Sequence, residues 1–168
     1  NTWSSVTYGN NMFVAVAATS STNSVMTSSD GVTWTVRSAV AKQWQSVTYG
    51  NGVFVAISCG SSCGDSGTNI VMTSPDGITW TSRTAASDLY WSSVTFGNNL
   101  FVAVSYYGGV MTSVDGITWT SRTDPAGSSW TSVAYGNGMY VAVADGSSNR
   151  AMSSPDGITW TARNAATN

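Results

Sequence analysis

Few side chains in this sequence can do acid–base chemistry. Eight acidic residues stand against six basic ones in 168 residues, there is no histidine, and every acid is an aspartate. Four of the aspartates recur in one setting: Ser28-Ser29-Asp30-Gly31-Val32-Thr33-Trp34, Ser74-Pro75-Asp76-Gly77-Ile78-Thr79-Trp80, Ser113-Val114-Asp115-Gly116-Ile117-Thr118-Trp119 and Ser154-Pro155-Asp156-Gly157-Ile158-Thr159-Trp160. An aspartate ahead of glycine accepts hydrogen bonds from the backbone N–H groups that follow it, so these four read as turn formers. The other four are Asp65, Asp88, Asp124 and Asp145. Two carboxyl groups at a suitable separation would suffice for glycoside hydrolysis, but nothing in the sequence pairs any two of these. The expectation is a protein that is not an enzyme and needs no cofactor.

Recognition chemistry has more candidates. Tyr106 and Tyr107 precede Gly108-Gly109, and with Tyr90 they could stack on a sugar ring, although exposed loop tyrosines are also ordinary. The segment Asp65-Ser66-Gly67-Thr68-Asn69 offers oxygens compatible with calcium but lacks the spaced acids and closing glutamate of an EF-hand, so no metal site is expected. Arg37, Arg83, Arg122 and Arg163 occupy equivalent positions and could form a ring that receives carboxylates. The plainer reading is aliphatic stems packed on the fold with their heads in water or on an aspartate. Cys59 and Cys63 flank a flexible Gly60-Ser61-Ser62 spacer and are expected to form a small disulfide. Zinc is a poor alternative because the chain has no other cysteine and no histidine.

The elements that must position these residues come from an internal repeat. All eight tryptophans fall into four pairs: Trp3/Trp34, Trp44/Trp80, Trp91/Trp119 and Trp130/Trp160. Each copy opens with Trp-x-Ser-Val-(Thr/Ala)-aromatic-Gly-Asn and continues at once into Phe13-Val14-Ala15-Val16, Phe54-Val55-Ala56-Ile57, Phe101-Val102-Ala103-Val104 or Tyr140-Val141-Ala142-Val143. These β-branched and aromatic runs predict a hairpin in which the Gly-Asn pair supplies the positive-φ turn residues. A third strand carries Val25-Met26, Val71-Met72, Val110-Met111 or Ala151-Met152, and the Asp-Gly turn leads into a fourth, Thr-Trp-Thr-x-Arg. The expected fold is all-β: a β-propeller of four-stranded antiparallel blades at about 1–43, 44–90, 91–129 and 130–168, in one repeat domain. An extended β-solenoid is the architectural rival.

The Ser-x-Asp-Gly-x-Thr-Trp segment resembles the Asp-box (BNR) repeat of sialidase-like propellers, in all four copies. It departs from the family in having Asp and Gly adjacent, where the usual box has one residue between them. The resemblance implies a structural role for Asp30, Asp76, Asp115 and Asp156 and for Trp34, Trp80, Trp119 and Trp160, away from any catalytic centre. A sialidase-like site would also need a glutamate beside its tyrosine, and the chain has none.

Loop lengths point to one face. The first hairpin turn and the Asp-Gly turn never vary, whereas the second-to-third strand loops hold 8, 13, 5 and 7 residues (17–24, 58–70, 105–109 and 144–150). Binding residues concentrate on variable loops above a rigid scaffold, so this rim is the candidate binding face, carrying Asp65, Asn69, Asp88, Tyr90, Tyr106, Tyr107, Asp124, Asp145 and Arg150. The charged fraction is 8% and the net charge −2, which removes the electrostatic term that supports binding to nucleic acid or anionic membrane. No apolar run is long enough to span a bilayer. A surface of Ser, Thr, Asn and Gly, with Lys42 the only lysine, suggests a secreted protein, and the start at Asn1 a processed or excised piece.

The spacers from the box arginine to the next tryptophan hold 6, 7 and 7 residues, and joining the two ends on paper gives 7 again. The repeats are therefore in phase with a closed ring, with closure by a second chain, or with a segment of a longer array. Two functions follow: an extracellular, lectin-like binding module with a glycan or cell-surface ligand on the variable rim, or a structural subunit that associates blade to blade.

Overall fold

A computed structural model describes residues 1–64, 67, 70–146 and 151–165. The repeat folds as four antiparallel blades of four strands each. The first holds β1 (Trp3–Gly9), β2 (Met12–Ser21), β3 (Val25–Ser28) and β4 (Thr35–Arg37), and the second β5 (Lys42–Gly50), β6 (Val53–Ser58), β7 (Val71–Ser74) and β8 (Thr81–Arg83). The third holds β9 (Trp91–Gly97), β10 (Leu100–Ser105), β11 (Val110–Ser113) and β12 (Thr120–Arg122), and the fourth β13 (Ser129–Gly136), β14 (Met139–Asp145), β15 (Ala151–Ser154) and β16 (Thr161–Arg163). Within each blade the strands pair in sequence order.

Three local expectations are corrected. The hairpin turns place positive φ on Asn10 and Asn11 (48° and 57°), Asn51 and Gly52 (48° and 78°), Asn98 and Asn99 (44° and 57°), and Asn137 and Gly138 (49° and 75°). Two consecutive left-handed residues match the twist of the flanking strands, so the preceding Gly9, Gly50, Gly97 and Gly136 are strand residues with another purpose. The fourth strand is only Thr-x-Arg, because the tryptophan still belongs to the turn. Residues 17–21 are not loop: β2 runs on to Ser21 and pairs with the next blade at Ala18↔Gln43 and Ser21↔Lys42.

The purpose of those glycines is stacking. A Cβ built on Gly9 would overlap the ring of Tyr49, one on Gly50 the ring of Phe96, and one on Gly97 the ring of Tyr135, so the aromatic of blades two, three and four packs against the backbone of the blade before it. The turn glycine of blades two, three and four meets a valine of the preceding blade: Gly77 against Val14 (2.8 Å), Gly116 against Val55 (2.7 Å) and Gly157 against Val102 (2.9 Å), measured from a built Cβ. Three apolar cores lie between the blades, each joining strand-two residues of one blade to Trp, Val, Ala and Met of the next. Val14 and Val16, for example, pack with Trp44, Val47, Ala56 and Met72, and the same set recurs twice more.

Polar groups follow the same rule. A bulge in each first hairpin leaves one first-strand residue unpaired, namely Ser4, Gln45, Ser92 or Thr131, and re-aims its side chain. Ser4 Oγ then donates to the Trp44 carbonyl of the next blade, and Ser92 Oγ to that of Trp130, both at 2.6 Å. The N–H groups of Val47, Val94 and Val133 donate to Oγ of Ser5, Ser46 and Ser93 on the preceding blade.

Replacing Gly50 by alanine forces a methyl into the Phe96 ring. Gly50→Ala is expected to lower the free energy of unfolding by about 3 kcal/mol, the upper range for overpacking, read as a fall in the urea midpoint.

Candidate functional site

The variable loops of blades two and three are tied into one rim. Cys59 and Cys63 are joined by a disulfide across a single turn of 3-10 helix, Gly60–Cys63. Gln43 Nε2 donates to the Cys63 carbonyl at 2.7 Å, and the Ser61 N–H donates to Asp88 Oδ1 at 3.1 Å. Asp88 thus anchors the blade-two loop on the connector that leads to Tyr90. The Tyr106 N–H donates to the Tyr90 carbonyl at 2.8 Å, which fixes the blade-three loop to the same connector. That loop closes tightly, the Ser105 N–H donating to the Gly109 carbonyl at 3.1 Å while Gly108 and Gly109 take φ of 78° and 111°.

Three tyrosine rings meet on this framework. Centroids lie 5.6 Å apart for Tyr90 and Tyr106, 6.1 Å for Tyr90 and Tyr107, and 5.5 Å for Tyr106 and Tyr107, the latter two pairs edge to face. Tyr90 and Tyr106 are half-buried, while Tyr107 is 65% exposed and presents its ring to solvent. The structure therefore brings together the three aromatic residues that the sequence singled out.

Asp124 braces the cluster from beneath. Its Oδ2 accepts from the Gly109 N–H at 2.9 Å and from Trp130 Nε1 at 2.7 Å, and its Oδ1 accepts from the N–H groups of Ala126 and Gly127, both at 2.9 Å. Burial works to raise its pKa, but the N–H groups of Gly109 and Ala126, the indole of Trp130 and the N–H of Gly127 prevail and lower it. A carboxylate with both oxygens engaged holds a loop; it is not free to receive a ligand. Asp145 ends β14 and is exposed, with no part in the cluster. Asp65, Asn69 and Arg150 lie outside the described residues.

The repeated turns are self-contained. In each, the serine hydroxyl donates to the aspartate (Ser28 to Asp30, Ser74 to Asp76, Ser113 to Asp115, Ser154 to Asp156) at 2.9 Å. The same Oδ1 accepts two backbone N–H bonds of 2.8 Å, for instance from Val32 and Thr33, and the tryptophan indole donates to the glycine carbonyl. The N–H groups of Thr33 and Val32, with Ser28, hold Asp30 down to about 2. Asp76 and Asp156 are lowered by their own turn N–H groups, and Asp115 is lowered against the opposing pull of burial. The four repeat arginines are likewise engaged within their own blades: Nε of Arg37, Arg83, Arg122 and Arg163 donates to Oγ of Thr27, Thr73, Thr112 and Ser153 at 2.8–3.0 Å.

What the sequence reading missed are the two end faces. At Trp3, Val6 and Tyr8 the first blade is exposed by 38%, 59% and 56%, where the matching Trp44 and Val47 are 0% and 5%. The last blade exposes Val141 and Val143 by 43% and 47%, where Val14 and Val16 are fully buried. Four blades thus form an open arc with an uncovered face at each end. The readable signal is the glycine after each aromatic, which in the three internal junctions lies under a neighbour's ring.

Residues 41–168, which hold blades two to four, match the family described as DUF6242 beta propeller domain. The chain belongs to that family. No curated protein matches it in sequence. Among solved structures this propeller is similar to the computationally designed Ika8 protein, with a TM-score of 0.64 at 10% identity, covering 90% of this chain and 45% of that one. It is also similar to the designed Ika4 protein, with a TM-score of 0.60 at 12% identity and 86% of each chain covered. YCF48 from Cyanidioschyzon merolae gives a TM-score of 0.67 at 18% identity over 99% of this chain and 57% of that chain, and a second YCF48 structure, bound to D1 peptide, gives 0.58 at 14%. The propeller spans about half the length of the Ika8 and YCF48 chains.

Two outcomes test this geometry. Asn at position 124 keeps one oxygen and turns an NH2 toward N–H donors, so Asp124→Asn is expected to cost about 3 kcal/mol in urea unfolding and to change the tyrosine near-ultraviolet dichroism. The depressed aspartates set the acid limb: Asp30 sits near 2 when folded against an ordinary value of 3.8, so its contribution is complete above about pH 4 and fades as pH falls toward 2. Asp76, Asp115, Asp124 and Asp156 shift in the same direction, and the urea midpoint is expected to fall as the pH is lowered through the acid range.

Proposed function

We propose that this chain is a non-catalytic β-propeller binding module of the cell exterior, whose ligand face is the loop rim centred on Tyr90, Tyr106 and Tyr107. The observation that carries this reading is the tyrosine cluster itself: three rings within 5.5–6.1 Å of one another, with Tyr107 turned to solvent. Tyrosine gives a large, rigid contact area with a polar tip, at low entropic cost. A pyranose ring, flat and apolar on one face with hydroxyls around its edge, fits such a platform, so the ligand is a glycan. A peptide is the second reading, because YCF48, of similar fold, is known in a structure bound to D1 peptide.

The absence of catalysis is supported by the inventory of reactive groups. The chain has no histidine or glutamate, and Asp30, Asp76, Asp88, Asp115, Asp124 and Asp156 all accept backbone N–H bonds in turns or loops. The four Ser-x-Asp-Gly turns support reading the repeats as Asp-box type with Asp and Gly adjacent, a structural device. Secretion is supported by the Ser/Thr-rich composition and the bonded cysteines.

A glycan array and a peptide array, probed with the purified chain, separate the two ligand classes. Binding to glycans is expected, and Tyr107→Ala, a change to an exposed side chain, should weaken it about tenfold with the unfolding transition unchanged. Hits on peptides alone would move the assignment to peptide recognition, and unchanged glycan affinity in the Tyr107→Ala variant would remove the rim cluster from the site.

A further inference from the structure

The rim loops of blades two and three meet on three consecutive residues, each engaged with a different neighbour. Asp88 Oδ1 accepts the Ser61 N–H at 3.1 Å. Leu89 seats its side chain over Gly109, where a built Cβ would come within 2.9 Å of Leu89 Cδ1. The Tyr90 carbonyl accepts the Tyr106 N–H at 2.8 Å. The fit is as close on the blade-two side: a Cβ built on Gly60, which has a φ of 57°, would meet Asp88 Oδ1 and, at 2.9 Å, the Leu89 carbonyl. The place of the tyrosine loop is therefore set, through residues 88–90, by the four-residue turn Gly60–Cys63. A single turn of 3-10 helix is too short to hold itself in water, and Ser61 and Ser62 within it are exposed. What closes the turn is the Cys59–Cys63 bond, with Gln43 Nε2 donating to the Cys63 carbonyl at 2.7 Å.

We propose that the Cys59–Cys63 disulfide is a redox-sensitive clasp that positions the tyrosine rim, holding it ready for ligand when oxidised and releasing it when reduced. This regulation rests on the rim being the ligand face. Cys59 is fully buried, whereas Cys63 is half-buried between the exposed Ser62 and Gly64, so an attacking thiolate reaches the Cys63 sulfur first. With a dithiol as reductant, one thiolate attacks Cys63 Sγ, forms a mixed disulfide there and expels Cys59 as a thiolate, which takes up a proton. The second thiolate of the reductant then displaces Cys63, which is protonated in turn. The reductant leaves as a cyclic disulfide, two electrons have passed to the protein, and both cysteines are thiols. The reduced state has a place ready at its buried end: Cys59 Sγ lies 3.6 Å from the Gln43 carbonyl, an acceptor for the new S–H. Cys59 therefore stays where it is, and the change falls on the exposed end of the turn, where the Ser61 N–H leaves Asp88. The bond spans only four positions and lies within blade two, so the cores between blades do not depend on it.

Amide hydrogen exchange on the whole chain, oxidised and in dithiothreitol, tests the clasp. Reduction is expected to speed exchange of the Ser61, Tyr106 and Gly109 N–H groups by about tenfold or more. The N–H groups of Val47, Val94 and Val133, which donate across the blade junctions, should keep their rates, with the far-ultraviolet dichroism unchanged. Cys59→Ser combined with Cys63→Ser should behave in either condition as the reduced chain does. Asp88→Ala keeps the disulfide but removes the acceptor, so Tyr106 and Gly109 should loosen in the oxidised variant and dithiothreitol should add little further. A glycan array probed with and without dithiothreitol reads the consequence for binding: affinity is expected to fall about tenfold on reduction and to return on reoxidation. Exchange at Tyr106 and Gly109 that ignores reduction overturns the clasp, as does glycan binding equally tight in both states. Faster exchange at the blade junctions as well would make the bond a general support of the fold and overturns it too. An array blank in both states removes the glycan reading alone, because the exchange rates still decide whether the bond positions the rim.

Discussion

The close approach of an aromatic ring to a bare backbone, three times over, is the contact on which this structure rests. Because Gly9, Gly50 and Gly97 lack side chains, Tyr49, Phe96 and Tyr135 can lie on the strands of the preceding blade, and that distance sets the spacing of everything above and below it. The valine pairs reach the tryptophans of the next blade only at this separation. So do the serine hydroxyls that bond across it. No blade has a core of its own; its apolar side chains are completed by a neighbour, and burial of that kind supplies most of the stabilisation.

The rest of the repeat keeps those faces flat and in register. The Asn-rich hairpin turns fix the pairing of the first two strands, and the bulge beside each leading tryptophan frees one side chain to cross to the next blade. The aspartate turns tie the third strand to the fourth with bonds wholly internal to the turn. With the scaffold determined in this way, the loops of the opposite edge are free to vary, and in blades two and three they have become a connected rim. Asp88 and Asp124 show how: each is a carboxylate used as a fastener, one holding the disulfide loop and the other the tyrosine loop.

Much of this was readable in the residues. The tryptophan pairs set the phase of the repeat, the β-branched runs gave the strands, and the Asp-Gly segments gave the turns, because each depends on local chemistry. Matters that depend on a neighbour were not readable. Gly9 and its equivalents look like turn glycines until the ring above them is seen. Ala17 to Ser21 looks like loop because its partner, Lys42-Gln43, is some twenty residues away and in another blade. At the rim, the tyrosines were visible as candidates, but the aspartates beside them could not be distinguished from ligand-binding groups without the four N–H and indole donors that surround Asp124. The exposed state of Val141 and Val143 could not be read at all, since their sequence context is the same as that of the buried Val102 and Val104.

The bulged serine positions bear on how such a chain can change over generations. The bonds they make stay within their own unit or run to the adjoining one, so duplication or loss of a whole unit leaves all surviving junctions chemically as they were. Lineages can therefore alter circumference by recombination without redesigning any interior, and the variable edge is free to diversify while the count of units drifts.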